Sequence, residues 1–295
     1  MAQSALDCGN AALRKLGSYT VTAVDGSDTS KAGLALYAHL DPCKKALLRR
    51  SPWNFAIKRK IITPPASFAI SNVTWVSSQV VEVTHASVTY ALGSYVTITG
   101  VSGATLANGT FEVSTATVGG VTTRITVPLA TTSALLGTYV ASTGDEIRQS
   151  PAYDYSYLYT LPSDCLKFIS CNDEYTSDRW LREGGYILSN EDTSLKLKYV
   201  YDVTDYTLMD VEFYECLSTF VAWTIIDHLS RSDQKKRALY QELNGGDGMV
   251  GMLPKARFDD AIEDSMPSVE SNDWLLARGA GTNYTGPVNA TETAL

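Results

Sequence analysis

The stretch 110-TFEVSTATVGGVTTRITVPL-129 decides the fold of the middle of the chain. Apolar and polar residues alternate through 110–118 and again through 123–129, and Gly119-Gly120 lies between them as a turn signal. A period of two with β-branched residues marks antiparallel strands. The same texture extends outward. It includes 95-YVTITGV-101, and it is punctuated at Gly93 and at Asn108-Gly109. From about Phe68 to Asp145 the chain is rich in Thr, Val, Ser and Gly and nearly free of charge. Pro64-Pro65 and Pro151 bound it. The pattern predicts a small all-β domain with its own core, inserted between two flanks.

The flanks read differently. Ser4 followed by Asp7 resembles a capping box. Leu6, Gly9, Leu13 and Leu16 then form one helical stripe, which Gly17 closes. A second helix carries Leu36, Leu40, Cys43 and Leu47. Pro42 interrupts it, which predicts a kink or a restart with Asp41 as cap. After Pro151, tyrosines at 153, 155, 157 and 159 fall on one face of an expected strand. Further strands are expected at 165-CLKFISC-171, 179-RWLRE-183, 186-YILS-189 and 195-LKLKYVY-201, with Gly184-Gly185 as a hairpin turn. From Met209 the period is helical again, through Val211, Tyr214, Leu217, Val221, Ile225 and Leu229. Helices at 233–243 and 256–266 follow. The remainder is Gly-, Thr- and Asn-rich apart from 274-WLLAR-278.

Composition narrows the function classes. The chain has 295 residues, formal net charge −8 and only 19% charged residues. A negative sum argues against a general binder of DNA or anionic membranes, because phosphate affinity comes from Lys and Arg. The N-terminus has no basic n-region followed by an apolar h-region, so no secretory signal is visible. No apolar run approaches the roughly 20 residues that span a bilayer. Five scattered cysteines fit buried free thiols better than a disulfide framework.

Motifs for catalysis are sparse. No Gly-x-Ser-x-Gly elbow occurs, and none of His39, His85 and His228 lies in a triad context. His39 and Cys43 are four apart, but two ligands do not make a zinc site. Asp259, Asp260, Glu263 and Asp264 read as a solvated helix face. The glycines of 245-GGDGMVG-251 lack a Gly-Lys-Ser/Thr ending and read as a connection between helices. The reading is non-enzymatic, with no cofactor and no metal.

One stretch concentrates cations: 47-LLRRSPWNFAIKRK-60. Truncating a buried Trp or Phe costs about 3–5 kcal/mol, whereas an exposed ion pair is worth about 0–1 kcal/mol. The aromatic residues therefore set the placement. Pro52, Trp53 and Phe55 are expected to form a structural corner. Arg49, Arg50, Lys58, Arg59 and Lys60 would ring it and meet acids of the chain's own tail or of a neighbouring subunit. A core corner with solvated charges accounts for the same residues without any partner.

Several strings resemble the tail tubular protein A family, the head-to-tail adaptors of short-tailed bacteriophages. They are 5-ALDCGNAALRKLGS-18, 37-YAHLDPCKKALLRRSPWNFAIKR-59 and 157-YLYTLPSDCLKFI-169, with 253-LPKARFDDA-261 and 274-WLLARG-279 as weaker supports. Residues from about 66 to 149 depart from the family pattern and look like an inserted β module. The resemblance implies an α+β fold. An antiparallel helical bundle with a small β-sheet region would be built from 1–65 and 150–266. An all-β domain of sandwich or barrel type would occupy 66–149, and an extended arm 267–295.

The resemblance further implies a virion tail protein, made in the host bacterial cytoplasm. It would form a homo-oligomeric ring, usually of twelve copies, between the portal protein and a nozzle protein of the tubular protein B type. Tail fibres are a further expected contact. Double-stranded DNA would pass through the lumen without specific contact during ejection, and no membrane is involved. Trp274 and Leu275 would anchor the arm on a neighbour, while Arg49, Arg50, Lys58 and Arg59 would face other subunits or the portal. The competing reading is a tail-associated protein that binds or hydrolyses host-surface glycans, with the β-insert and the tyrosine face as contacts. Hydrolysis would need two carboxyl groups about 5–9.5 Å apart across a cleft.

Overall fold

A computed structural model of the protein describes residues 3–172, 179–230, 232–246 and 248–263. The chain divides into two compact units. Of the described residues, one takes those within 3–44, 53–55 and 205–263, and the other takes those within 45–52 and 56–204.

The first unit holds most of the helical residues. Helix α1 (Ala5–Leu16) begins where the Asp7 amide donates to the Ser4 hydroxyl at 3.1 Å, and it ends at Gly17 with φ 71°. Its buried face is Cys8, Gly9, Ala12, Leu13 and Leu16. The side chain of Asn10 ties down the following loop. It donates to the Val21 carbonyl at 3.1 Å and accepts from the Val21 amide at 2.8 Å. Helix α2 (Lys31–Arg50) runs unbroken through Pro42. The expected restart at Asp41 is absent. One backbone hydrogen bond is lost at the proline, and burial of Leu36, Leu40, Cys43 and Leu47 along the same helix offsets that loss.

Helix α4 (Val211–Leu229) is buried on most sides, from Phe213 and Tyr214 through Leu217, Thr219 and Ala222 to Ile226. Helices α1, α5 (Asp233–Asn244) and α6 (Met252–Glu263) pack on it. Between α5 and α6 lies a two-stranded ladder of β13 (Gly245–Gly246) and β14 (Met249–Val250).

The second unit is built from strands. Strands β2 (Phe68–Ser77), β3 (Val80–His85), β4 (Tyr95–Thr99), β5 (Gly109–Val118), β6 (Thr122–Thr126) and β7 (Glu146–Ser150) close into a barrel in the order β2-β3-β6-β5-β4-β7. Alternation fills it: Val81 and Val83, Val96 and Ile98, Val113, Ile125 and Ile147 all point into one core. The short helix α3 (Ser133–Leu136) adds Leu136 to that core. Gly103, at φ 75°, lets the backbone pass Thr138, whose carbonyl oxygen lies 1.9 Å from where a Cβ would sit.

Two three-stranded antiparallel sheets complete this unit. One has the order β1-β12-β9, from β1 (Ile57–Ile62), β12 (Leu195–Tyr201) and β9 (Cys165–Cys171). The other has the order β10-β11-β8, from β10 (Trp180–Glu183), β11 (Tyr186–Ser189) and β8 (Tyr157–Thr160). They share a core of Ile62, Tyr159, Trp180, Ile187, Leu195, Leu197 and Tyr199.

This architecture corrects the expected fold class. Among the described residues there are fourteen strands and six helices, and strands predominate. The chain is mostly β, and an antiparallel helical bundle is not its organising element. The helical periodicity at 211–229 was real. However, it belongs to one nearly encircled helix and not to the single apolar stripe of a bundle member. The residues after 150, expected as a minor β-region, carry two sheets and a core of their own. The tyrosine series also resolves differently. β8 begins only at Tyr157, because Asp154 adopts φ 67° and breaks the extension. Tyr159 is buried, whereas Tyr153 is exposed.

Candidate functional site: a pinned aromatic corner and its cationic edge

Within the first unit, Trp53 is fully buried and meets Phe213 edge-on, with ring centroids 5.0 Å apart. Phe55 meets the same ring at 4.9 Å, and Trp53 and Phe55 lie 6.3 Å apart. Such edge-to-face pairs add about 0.5–1.5 kcal/mol to the burial itself. Between the two rings, Asn54 is held by α6. Its main-chain amide donates to Asp260 Oδ1 at 2.9 Å, and its Nδ2 donates to the Asp260 carbonyl at 2.6 Å. Pro52 is exposed, in the turn that precedes Trp53.

Asp260 is the residue that sequence reasoning missed. It was assigned to a solvated face, yet it is buried. A signal existed. Leu253, Ala256 and Asp260 are spaced by three and four, and these are the buried positions of α6. The spacing places Asp260 on the inner face despite its charge.

In the second unit the cations find local partners. Arg49 donates through Nη1 to the Leu166 carbonyl. Lys58 Nζ lies 2.7 Å from Asp164 Oδ2 and 5.1 Å from the centre of the Tyr201 ring. The Tyr199 hydroxyl donates to the other Asp164 oxygen at 3.0 Å. Partial burial works to raise the Asp164 carboxyl. The hydrogen bonds from Lys58 and Tyr199, with the Lys58 charge, outweigh it and hold the group below the usual carboxylate range. Burial, and then the hydrogen bond to Asp164, push the Tyr199 hydroxyl up. Lys45 lies 3.4 Å from Asp202, whose amide donates to the Asp164 carbonyl. Two of the strings singled out in the sequence, around Lys58 and around Asp164, thus meet in one network.

Arg59 lies elsewhere. It pairs across the sheet with Lys198, as Ile61 does with Lys196, so all four share one face of β1 and β12. Arg59, Lys60 and Lys196 are exposed and border a shallow depression with Ile61 and Lys198. β1 is an edge strand, and charge on an edge discourages unwanted strand pairing. Trp274 and Leu275 lie outside the described residues.

The histidines are placed structurally. His85 is buried in the barrel, 2.7 Å from the Ala86 carbonyl and 2.9 Å from the Thr123 hydroxyl. His39 stacks on His228 at 5.2 Å. Among the described residues no three His, Cys, Asp or Glu side chains are grouped to hold a metal ion. No helix among them is long and apolar enough to cross a membrane.

No family model and no curated protein matches this chain.

Two further pairs of exposed apolar side chains bear on function. α6 presents Phe258 and Ile262, four residues apart, with exposures of 66% and 63%. β14, in the same unit, exposes Met249 and Val250 at 78% and 79%.

Proposed function

We propose that the chain is a structural virion protein. It forms a homo-oligomeric adaptor ring that joins the portal to the tail nozzle of a short-tailed phage, and it acts by burying interfaces. The observation that carries this reading is the set of exposed large apolar side chains in the helical unit, Phe258 and Ile262 on α6 and Met249 and Val250 on β14. Large side chains this exposed favour a protein neighbour over water. At ~25 cal/mol per Å², covering a few of them contributes several kcal/mol per subunit contact. The strings that resemble the adaptor family support the same reading. Arg59, Lys196 and Lys198 offer a cationic face to an acidic partner, and an acidic sister chain or a portal subunit fits that role. Twelve copies, passage of DNA through the lumen and contact with fibres follow from the resemblance.

The test is native mass spectrometry and negative-stain imaging of the purified chain, alone and with the portal protein of the same virus. Rings, or portal-bound rings, are expected. The double substitution Phe258→Ser with Ile262→Ser should abolish them while leaving the melting curve of the monomer nearly unchanged, since both side chains are exposed. A chain that stays monomeric at all concentrations and ignores the portal overturns the proposal.

A further inference from the structure

The sheet β10-β11-β8 has two different faces. Trp180, Ile187, Tyr159 and Tyr157 belong to the face that packs on the core. On the other face Leu181, Leu188 and Leu158 stand in one cross-strand row, and Glu183 and Tyr186 stand opposite each other in the next. The loop 151–155 faces this surface and encloses with it a cleft of about 500 Å³. Tyr153 and Tyr155 line it from the loop, Tyr186 from the sheet, and Asp154 and Glu183 supply two carboxylates. Among the described residues no cationic side chain lines it.

The loop is held in shape. The Ser156 amide donates to Asn190 Oδ1 at 2.9 Å, and Asn190 Nδ2 donates to the Asp154 carbonyl at 3.4 Å. Asp154 itself sits at φ 67°, a conformation that costs a non-glycine residue about 1–3 kcal/mol. Across the cleft, the Gly184-Gly185 turn leaves open space where a Cβ would stand, so a ligand can approach the main chain.

We infer that this cleft binds a neutral saccharide. Aromatic rings over a leucine floor match the apolar C–H faces of sugar rings. Carboxylates and phenol hydroxyls at the rim match the sugar hydroxyls. Two carboxylates without a cation exclude an anionic ligand. An organic cation is the competing occupant on charge alone. But Tyr153 is 77% exposed, and it makes an open platform where a desolvated cage would be needed for a strong cation–π site. The inference does not depend on ring formation, since none of the residues it uses is one assigned above to a subunit or portal contact.

Isothermal titration calorimetry of the full chain tests it with three oligosaccharides, maltotetraose, cellotetraose and N-acetylchitotetraose, and with arginine methyl ester as a cationic probe. At least one oligosaccharide is expected to bind. Tyr153→Ala should weaken it about tenfold, the loss expected for one aromatic contact. Glu183→Gln should weaken it as well. Leu92→Ala, at an exposed position of the barrel segment, should leave binding unchanged. Tyr153 and Glu183 are exposed, so unchanged melting temperatures separate lost binding from lost fold. The inference is overturned if no oligosaccharide binds, if binding survives both substitutions, or if only the arginine ester binds.

Discussion

Asp260 and Asn54, 206 residues apart, are joined by two hydrogen bonds that fix the entry of the chain into its aromatic corner. The main-chain amide of Asn54 has Asp260 as acceptor, so truncating the acid leaves a part-buried donor without that partner. Losing one side of such a bond costs about 1–3 kcal/mol. Asp260→Ala is therefore expected to lower unfolding stability by about 2 kcal/mol. Asp259→Ala, one residue away and half-buried, should change it by no more than about 0.5 kcal/mol. Urea denaturation followed by tryptophan fluorescence measures both, and equal effects would refute the special role of Asp260.

Asp164 predicts an acid-sensitive contribution. Its carboxyl is held below its unfolded value by Lys58 and Tyr199. A depressed folded value means that the unfolded state binds more protons in acid, so this stabilisation is fully present above the unfolded value of about 4. It is lost as pH falls through the folded value. The pair is partly solvated, so its contribution is about 1 kcal/mol at most. Asp164→Asn should flatten the fall in stability below about pH 4 and weaken its salt dependence. A pH series of denaturation midpoints that runs parallel in both proteins would contradict the assignment.

The barrel strands were legible because they obey a simple local rule. Alternation at 95–101 and 110–118 with glycine turns specifies strands whatever the rest of the chain does. The first helix was legible for the same reason, since Ser4 and Gly17 mark its ends. What the sequence hid was tertiary. Pro42 looked like a break, because its local cost is visible and the compensating burial of Leu36, Leu40 and Leu47 is not. Tyr153 to Tyr159 looked like one strand face, because nothing local announces a left-handed Asp154. Asp260 was hidden by its charge, although its spacing from Leu253 and Ala256 placed it inside. The pairing of Lys58 with Asp164 joins residues 106 apart, and no spacing rule reaches that far.

The cysteines give a further prediction. All five are free thiols, and Cys8, Cys43, Cys171 and Cys216 are buried. Burial, reinforced by the charge of Glu215, pushes the Cys8 thiol up to about 12. Burial, reinforced by Glu212 and Glu215, does the same to Cys216, also to about 12. Cys165 is half-buried, and its thiol is raised too, again chiefly by burial. Only the thiolate attacks a disulfide reagent, so at pH 8 the folded protein should offer Cys8 and Cys216 almost no reactive fraction. Mixing native protein with a chromogenic disulfide reagent should therefore give slow labelling led by Cys165. Five thiols should react promptly once guanidinium unfolds the chain. Labelling of Cys8 should follow the opening of the contact between α1 and α4, so its rate should rise with denaturant in step with unfolding. Prompt modification of Cys8 or Cys216 in the native protein, located by peptide mapping, would show that this core is open to solvent.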